Sequence, residues 1–494
     1  MYHSRLTSAL AMAALAAILV PSSLPAQITF ERTYGDTAYA EGYSVQQTAD
    51  GGYIIAGFFY GNEPQSYDIY FIRTDAAGDT LWTGLEGGDG IDYGNSALQT
   101  SDGGFVIAGT RMDQGSSDNV CLIKTDSSGH ILWTRAYGDT GSQYGESAQQ
   151  TCDGGFIIAG SIFPYGSDDG DVYLIKTDAN GDTLWTRKYG GAAKDVGLSV
   201  QQTADSGYVT AGWTESFGAG ATDFYLIKTN AAGDTLWTRT YGGASEDLGN
   251  SVQQTADGGY VIAGYTASFG AGRWDIYLIK TDAAGDTMWT RTFGTTGPDY
   301  GYSVRQTTDG GYVVTGQVHD SLTEEGKASI VKTDSNGGTL WTMLLCPAGY
   351  VDAEGHSVVQ TADGGYAILG YAYGYPGHGT DVFLAKTDPD GNVAVAEPKA
   401  SSTRAPALSL ACTPNPASGS VTISLSPSIP LSLSPVLRIY DSQGRRVRTF
   451  TVNRTPCTVW DGTDELGRAL PSGTYFIVLN VSGQHATTRI VLQH

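Results

Sequence analysis

Seven times along the chain the same tetrapeptide returns. Asp50-Gly51-Gly52-Tyr53 recurs as Asp102-Gly103-Gly104-Phe105, Asp153-Gly154-Gly155-Phe156, Asp205-Ser206-Gly207-Tyr208, Asp257-Gly258-Gly259-Tyr260, Asp309-Gly310-Gly311-Tyr312 and Asp363-Gly364-Gly365-Tyr366, at steps of 52, 51, 52, 52, 52 and 54 residues. Trp82, Trp133, Trp185, Trp237, Trp289 and Trp341 mark the same period from a second position. A unit of this length with four short strands cannot bury its apolar face alone, and stacking such units around an axis makes a β-propeller. The expected fold is therefore all-β, a seven-bladed propeller with four strands per blade.

The fifth unit shows the pattern. Asn250 to Thr255, Tyr260 to Thr266, Asp275 to Thr281 and Thr287 to Phe293 read as its four strands. Asp-Gly-Gly joins the first two, where positive φ costs least, and Thr281 to Asp286 joins the last two around Gly285. The seventh unit reaches Val395 where its Trp should stand. Phe30-Glu31-Arg32-Thr33-Tyr34-Gly35 matches Trp237-Thr238-Arg239-Thr240-Tyr241-Gly242, so an N-terminal strand is expected to complete the last blade and close the ring.

The Asp-x-x-Gly-x-x-x-Trp run ending each unit resembles the tryptophan-docking repeat of bacterial quinoprotein-type propellers. That family usually closes with eight blades and carries a quinone and calcium on its axis. Seven units are present here without a distinctive cofactor constellation, so the resemblance supports the fold, and no cofactor or metal is expected.

Beyond Val395 the repeat stops. Glu397 to Pro406 reads as a linker, and Val421 to Leu425, Val436 to Asp441, Arg446 to Val452, Thr474 to Val481 and Thr488 to Leu492 read as strands of a small Ig-like β-sandwich. Residues 27–404 hold 20 Lys+Arg and 47 Asp+Glu, whereas 405–494 hold 7 and 4, so the acidity belongs to the propeller. The last domain carries Pro414-Asn415-Pro416-Ala417, Leu437-Arg438-Ile439-Tyr440-Asp441, Gly444-Arg445, Trp460-Asp461-Gly462, Gly467-Arg468, Gly473-Thr474-Tyr475 and Arg489-Ile490-Val491-Leu492. In that order these motifs resemble the type A C-terminal sorting domain of the type IX secretion system, and more loosely the immunoglobulin-like domain of flagellar hook-cap proteins. Cys412 stands where the family often has an aromatic. The resemblance implies export across the outer membrane through the type IX machinery.

The N-terminus agrees with export. His3 and Arg5, the apolar run Leu6 to Val20 and Leu24-Pro25-Ala26 read as a signal peptide, too short to span a bilayer. No transmembrane span is expected. The expected division is 1–26 signal peptide, 27–396 propeller, 397–406 linker and 407–494 sorting domain. Of five Cys, none is in CxxC spacing, and Cys412 and Cys457 are open to pairing or to remaining thiols.

With 28 Lys+Arg against 51 Asp+Glu, the formal charge of -23 excludes nucleic acid as a partner. No GxSxG, HExxH, P-loop or dinucleotide fingerprint occurs. Asp178 to Asp182 could suggest a calcium loop, but a turn capped by its own Asp fits better. A basic residue recurs in every third strand (Arg73, Lys124, Lys176, Lys228, Lys280, Lys332, Lys386), expected to pair with the Asp two residues later or with a neighbouring blade. Gln47, Gln99, Gln150, Gln202, Gln254, Gln306 and Gln360 recur in the innermost strand, where amide hydrogen bonds between blades are expected.

The hairpin turns repeat almost letter for letter, whereas the second-to-third strand loops and blade-to-blade loops vary. Strand alternation puts the variable loops on one face, with Tyr165, Phe217, Phe269 and Trp274 in the former and Tyr93, Tyr144 and Tyr300 in the latter. Arg273 beside Trp274, between flexible glycines, offers paired donors and a stacking face. These eight residues are the candidate binding residues. The expected function is a secreted or cell-surface binding module for an extracellular glycan or protein ligand. The alternative is a polysaccharide-active or quinone-dependent enzyme on the same scaffold; no catalytic residue is assigned.

Overall fold

Each unit folds as one antiparallel sheet because its two middle strands are apolar on both faces. In the fifth, Tyr260–Thr266 and Asp275–Thr281 are buried almost throughout, covered by a blade on either side, while the outer strand Thr287–Phe293 alternates toward solvent. The innermost strand, Asp247–Gln254, begins earlier than its apolar pattern suggests, because the Asp247 N–H bonds to the Thr222 carbonyl. The computed structural model describes residues 28–393, apart from 36–38, 62–65, 89, 113–117, 139–140, 320–324 and 375–378. It also describes 410–493, apart from 414–416, 418–419, 426–435, 442–444, 452–456, 466 and 482–483. The expected signal peptide and linker lie outside these residues.

Seven four-stranded sheets form the propeller, and the seventh is closed by the N-terminal strand. Phe30–Tyr34 pairs antiparallel with Thr380–Thr387, placing Phe30 opposite Lys386 just as Trp237 stands opposite Lys228. Phe30 thus takes the missing seventh Trp's place. It is 2% exposed, and its ring meets Tyr53 edge-on at 6.0 Å. In the other blades the indole packs on the next blade's Tyr or Phe, as Trp237 does on Tyr260 at 5.8 Å, with Arg239 over its outer face at 5.5 Å. The Tyr241 hydroxyl then donates to the Gly285 carbonyl in that blade's hairpin at 2.6 Å.

The glutamine ring is continuous. Each side-chain oxygen accepts a backbone N–H from the preceding blade's Asp-Gly-Gly turn, from Ala49 to Gln99 at 2.8 Å around to Ala362 and Gln47, also at 2.8 Å. A serine ring, unforeseen in the sequence, lies beside it. Ser44, Ser96, Ser147, Ser199, Ser251, Ser303 and Ser357 each accept a backbone N–H from the next blade, closing at Val45 on Ser357. These two rings lock the blades where they converge.

The recurrent third-strand cation pairs differently from expectation. Lys228 bonds to Asp205 in its own blade's Asp205-Ser206-Gly207 turn and to the Thr229 carbonyl at 2.9 Å, not to a residue two positions on. The pairing recurs in all seven blades. It also explains the second glycine of the Asp-Gly-Gly turns: a Cβ on Gly259 would lie 2.1 Å from the Thr281 carbonyl oxygen and 2.7 Å from the Lys280 ammonium. Burial alone pushes Asp205 and Asp257 up, but hydrogen bonds from Lys228 and Lys280, the turn threonines and the turn N–H groups outweigh it and bring both carboxyls to about 2. Stability from these pairs is complete above the unfolded carboxyl value of about 3.9 and is lost as pH falls toward 2. The carboxylates are more than half exposed, so screening holds each contribution to about 1 kcal/mol or less. We expect melting temperature to fall steeply between about pH 4 and 2, and less steeply in Asp205→Asn with Asp257→Asn. Equal slopes in thermal melts of the two proteins would contradict this assignment.

The contacts divide the chain after Val395. The second unit has a three-stranded sheet (Leu410–Thr413, Val421–Leu425, Cys457–Trp460) and a four-stranded one (Arg446–Thr451, Val436–Asp441, Gly473–Val481, Gln484–Leu492). Its core gathers Ile423, Leu437, Ile439, Ile477, Ile490 and the fully buried Trp460, whose N–H donates to the Thr463 carbonyl at 2.8 Å. The Gly-Arg motifs are turn staples, with Arg445 bonded to Asp441 and Arg468 to Asp464. Cys412 and Cys457 lie on strands flanking Val421–Leu425, and the pairing open to them in the sequence lies outside the described side chains.

Candidate functional site

Every innermost strand carries a β-bulge at the same place, between a glycine and the ring serine. The glycine allows close approach: a Cβ on Gly94 would lie 2.9 Å from the carbonyl oxygen of Gly57 in the preceding blade. A bulge leaves one residue unpaired and re-aims its side chain. The seven bulged residues are Tyr43, Asn95, Glu146, Leu198, Asn250, Tyr302 and His356, and all seven line one cavity of about 730 Å³ in the channel. The flanking glycine and serine repeat without exception, whereas the residue between them takes five identities. Sevenfold sameness thus surrounds an asymmetric centre. The signal was present in the sequence as a changing letter between two constant ones.

Aromatic rings run continuously around one side of this centre. Trp274 meets Tyr265 at 5.2 Å, Tyr265 meets Tyr300 at 5.0 Å, and Tyr300 stacks on Tyr302 at 6.4 Å. Tyr302 stacks on His356 at 4.5 Å, and His356 meets Tyr43 at 5.2 Å. Phe58 continues the run from Tyr43 to Tyr93.

Carboxylates are set into it. Glu41, largely buried, accepts from the Tyr39 and Tyr43 hydroxyls, both at 2.6 Å. Glu354 lies 3.2 Å from His356 Nε2. Burial pushes Glu354 up, but His356 and the Tyr371 hydroxyl outweigh it and hold the carboxyl below its usual range. Burial, and then the nearby carboxylates, raise the phenols of Tyr43, Tyr302 and Tyr371, which remain neutral donors. On the opposite wall, Asn95 donates to Glu146 at 3.1 Å, and the enclosing channel pushes the Glu146 carboxyl up to about 7, although the side chain still reaches the channel interior.

The eight residues singled out in the sequence fall into three groups. Tyr93, Tyr144 and Tyr300 lie in innermost strands, not in blade-to-blade loops, because each strand extends to the channel mouth ahead of its bulge. Trp274 is half-buried on the aromatic run, with Arg273 exposed beside it and close enough to act on the Tyr300 phenol. Tyr165, 88% exposed, borders a second cavity of about 960 Å³ that shares Tyr144, Glu146 and Leu198 with the first. Phe217 and Phe269 stand apart from both cavities, leaning on Tyr225 and Tyr277 of their own blades. Asp178 spends its carboxylate on the Asn180 and Asp182 N–H groups, the self-capped turn favoured over a calcium loop. Among the described residues no helix is long and apolar enough to cross a membrane.

Residues 412–493 match the secretion system C-terminal sorting domain family. The chain is 28% identical over 205 residues to the regulatory protein FlaEY of Caulobacter vibrioides, a match covering 36% of this chain and 21% of that relative. Among solved structures it is similar to PorZ, a surface component of the type IX secretion system of Porphyromonas gingivalis. That likeness has 11% identity and a TM-score of 0.32, over 90% of this chain and 69% of PorZ. It is also similar to the β-propeller domain of the Trilobed protease from Pyrococcus furiosus, at 10% identity and a TM-score of 0.41, over 74% of this chain and all of that one. The carboxy-terminal domain is a type IX sorting domain, and the protein that carries it is secreted or held at the cell surface.

Proposed function

We propose that the propeller is an extracellular binding module that takes a saccharide chain at the mouth of its channel. The observation that carries this is the bulge position. A fold that repeats its turns, pairs and rings seven times departs from repetition where all seven side chains meet one cavity. Aromatic faces stack on sugar rings, while Glu41, Glu354, Asn95 and Asn250 supply acceptors and donors for hydroxyl groups. Tyr93, Tyr144, Tyr300 and Trp274 extend the surface outward, and Arg273 with Tyr165 offers contacts at its rim. Phe217 and Phe269 serve a protein contact better than this cavity.

The full chain applied to an array of bacterial and plant glycans is expected to bind a subset saturably. Absence of saturable binding to any arrayed glycan would overturn the saccharide reading. A second reading, a polysaccharide-active enzyme, is favoured by one observation. Glu146 is raised to about 7 while Glu354 lies below its usual range, a difference suited to an acid and a base at neutral pH. Release of reducing ends from a bound glycan, lost in Glu146→Gln, would establish it.

A further inference from the structure

Two residues beyond the serine ring, the innermost strands carry another repeated position. Four blades have glutamine there (Gln46, Gln149, Gln201, Gln253), the sixth has Arg305, and the other two have Leu98 and Val359. Each of the four glutamines accepts a backbone N–H from the next blade: Gln99 to Gln46 at 2.6 Å, Gln202 to Gln149 at 2.5 Å, Gln254 to Gln201 at 2.6 Å and Gln306 to Gln253 at 2.6 Å. A backbone N–H can only donate, so it fixes which end of each amide faces it. Each oxygen is turned toward that N–H, and each NH2 retains two donors with no protein acceptor among the described residues.

Arg305 stands at the same level and lines the cavity. Its Nη1 donates to the Val304 carbonyl at 2.7 Å and lies 3.5 Å from Ser251 Oγ. No carboxylate among the described residues pairs with it, in contrast to the third-strand cations, each of which has its aspartate. Burial disfavours the charge on its guanidinium. At this position the seven blades therefore offer amide and guanidinium donors and no carboxylate. A half-buried cation with unused donors is costly unless an anion accompanies it.

We propose that Arg305 and the amide groups of Gln46, Gln149, Gln201 and Gln253 form a collar that binds one small anion, a carboxylate or an inorganic oxyanion, at the waist of the channel. The collar does not depend on a saccharide at the mouth. It supplies bidentate guanidinium donors and neutral amide donors, the chemistry by which proteins hold such groups without a compensating metal.

Calorimetric titration of the full chain with sodium sulfate, and separately with sodium acetate, tests this. One anion is expected to bind per chain. Tighter sulfate marks a free inorganic ion as the natural occupant, and tighter acetate marks the carboxylate of a larger ligand. Arg305→Gln installs the residue that four other blades carry there, so it is expected to unfold cooperatively and to bind at least about tenfold more weakly. Gln149→Leu with Gln201→Leu, which keeps the guanidinium and borrows the residue of the second blade, is expected to weaken binding several-fold. Absence of saturable binding of both anions, or an unchanged affinity in either variant, would overturn the collar.

Discussion

Removing residues 28–36 should abolish cooperative unfolding of the propeller. The strand Phe30–Tyr34 supplies the seventh blade's outer edge, and two of its five side chains are core residues, Phe30 at 2% and Tyr34 at 8% exposure. Phe30 packs with Tyr53, while the Tyr34 hydroxyl donates to the Gly78 carbonyl at 2.8 Å, so the strand joins the last blade to the first. Losing two buried aromatic rings with their cavity costs about 3 to 5 kcal/mol each. That sum is comparable with the whole stability of a folded domain, about 5 to 15 kcal/mol. The truncation also bares Thr380–Thr387 as an unpaired edge, a template for association. Denaturant titration should show a broad, early transition, and light scattering should show oligomers. Phe30→Trp, which restores the repeat's own residue, should stay within about 1 kcal/mol of the parent. A truncated protein melting within about 2 °C of the parent would contradict closure by this strand.

The blade, its period and its closure were legible because each depends on short-range chemistry. Asp-Gly-Gly marks a hairpin, Trp marks a docking strand, and Phe30 to Gly35 reads as the strand Trp237 to Gly242 with two residues changed. What escaped depends on partners brought together by the sheet. Spacing alone points Lys280 to Asp282, two residues on, or to a neighbouring blade, yet the hairpin lays it against Asp257, 23 residues earlier. Tyr93, Tyr144 and Tyr300 read as loop residues because their strands look shorter in sequence than they are; the bulge displaces the alternation that marks a strand. Leu410–Thr413 and Cys457–Trp460, four residues each, are too short to show a period.

The bulge residues are the hardest part of the site to see in the sequence. Tyr43, Asn95, Glu146, Leu198, Asn250, Tyr302 and His356 share no chemistry, so nothing about them as residue types suggests a common role. Only the register shift between constant neighbours shows that they occupy one structural position. Repetition made the scaffold readable, and the site lies where repetition fails.

That contrast can be tested in a single protein. Blades two and five already carry Asn at the bulge, so Asn is compatible with its backbone at two of seven places. Replacing Tyr43, Glu146, Leu198, Tyr302 and His356 with Asn makes the channel centre uniform while leaving the glutamine and serine rings and the seven cation–aspartate pairs intact. The variant should remain a cooperative, closed propeller, with some loss around Glu41, which gives up its bond from Tyr43. Affinity for the glycan that the parent binds should fall by at least about a hundredfold, since stacking and hydroxyl contacts are lost together. Undiminished binding by this symmetric variant would contradict the account, placing the ligand on the outer loops instead of the channel.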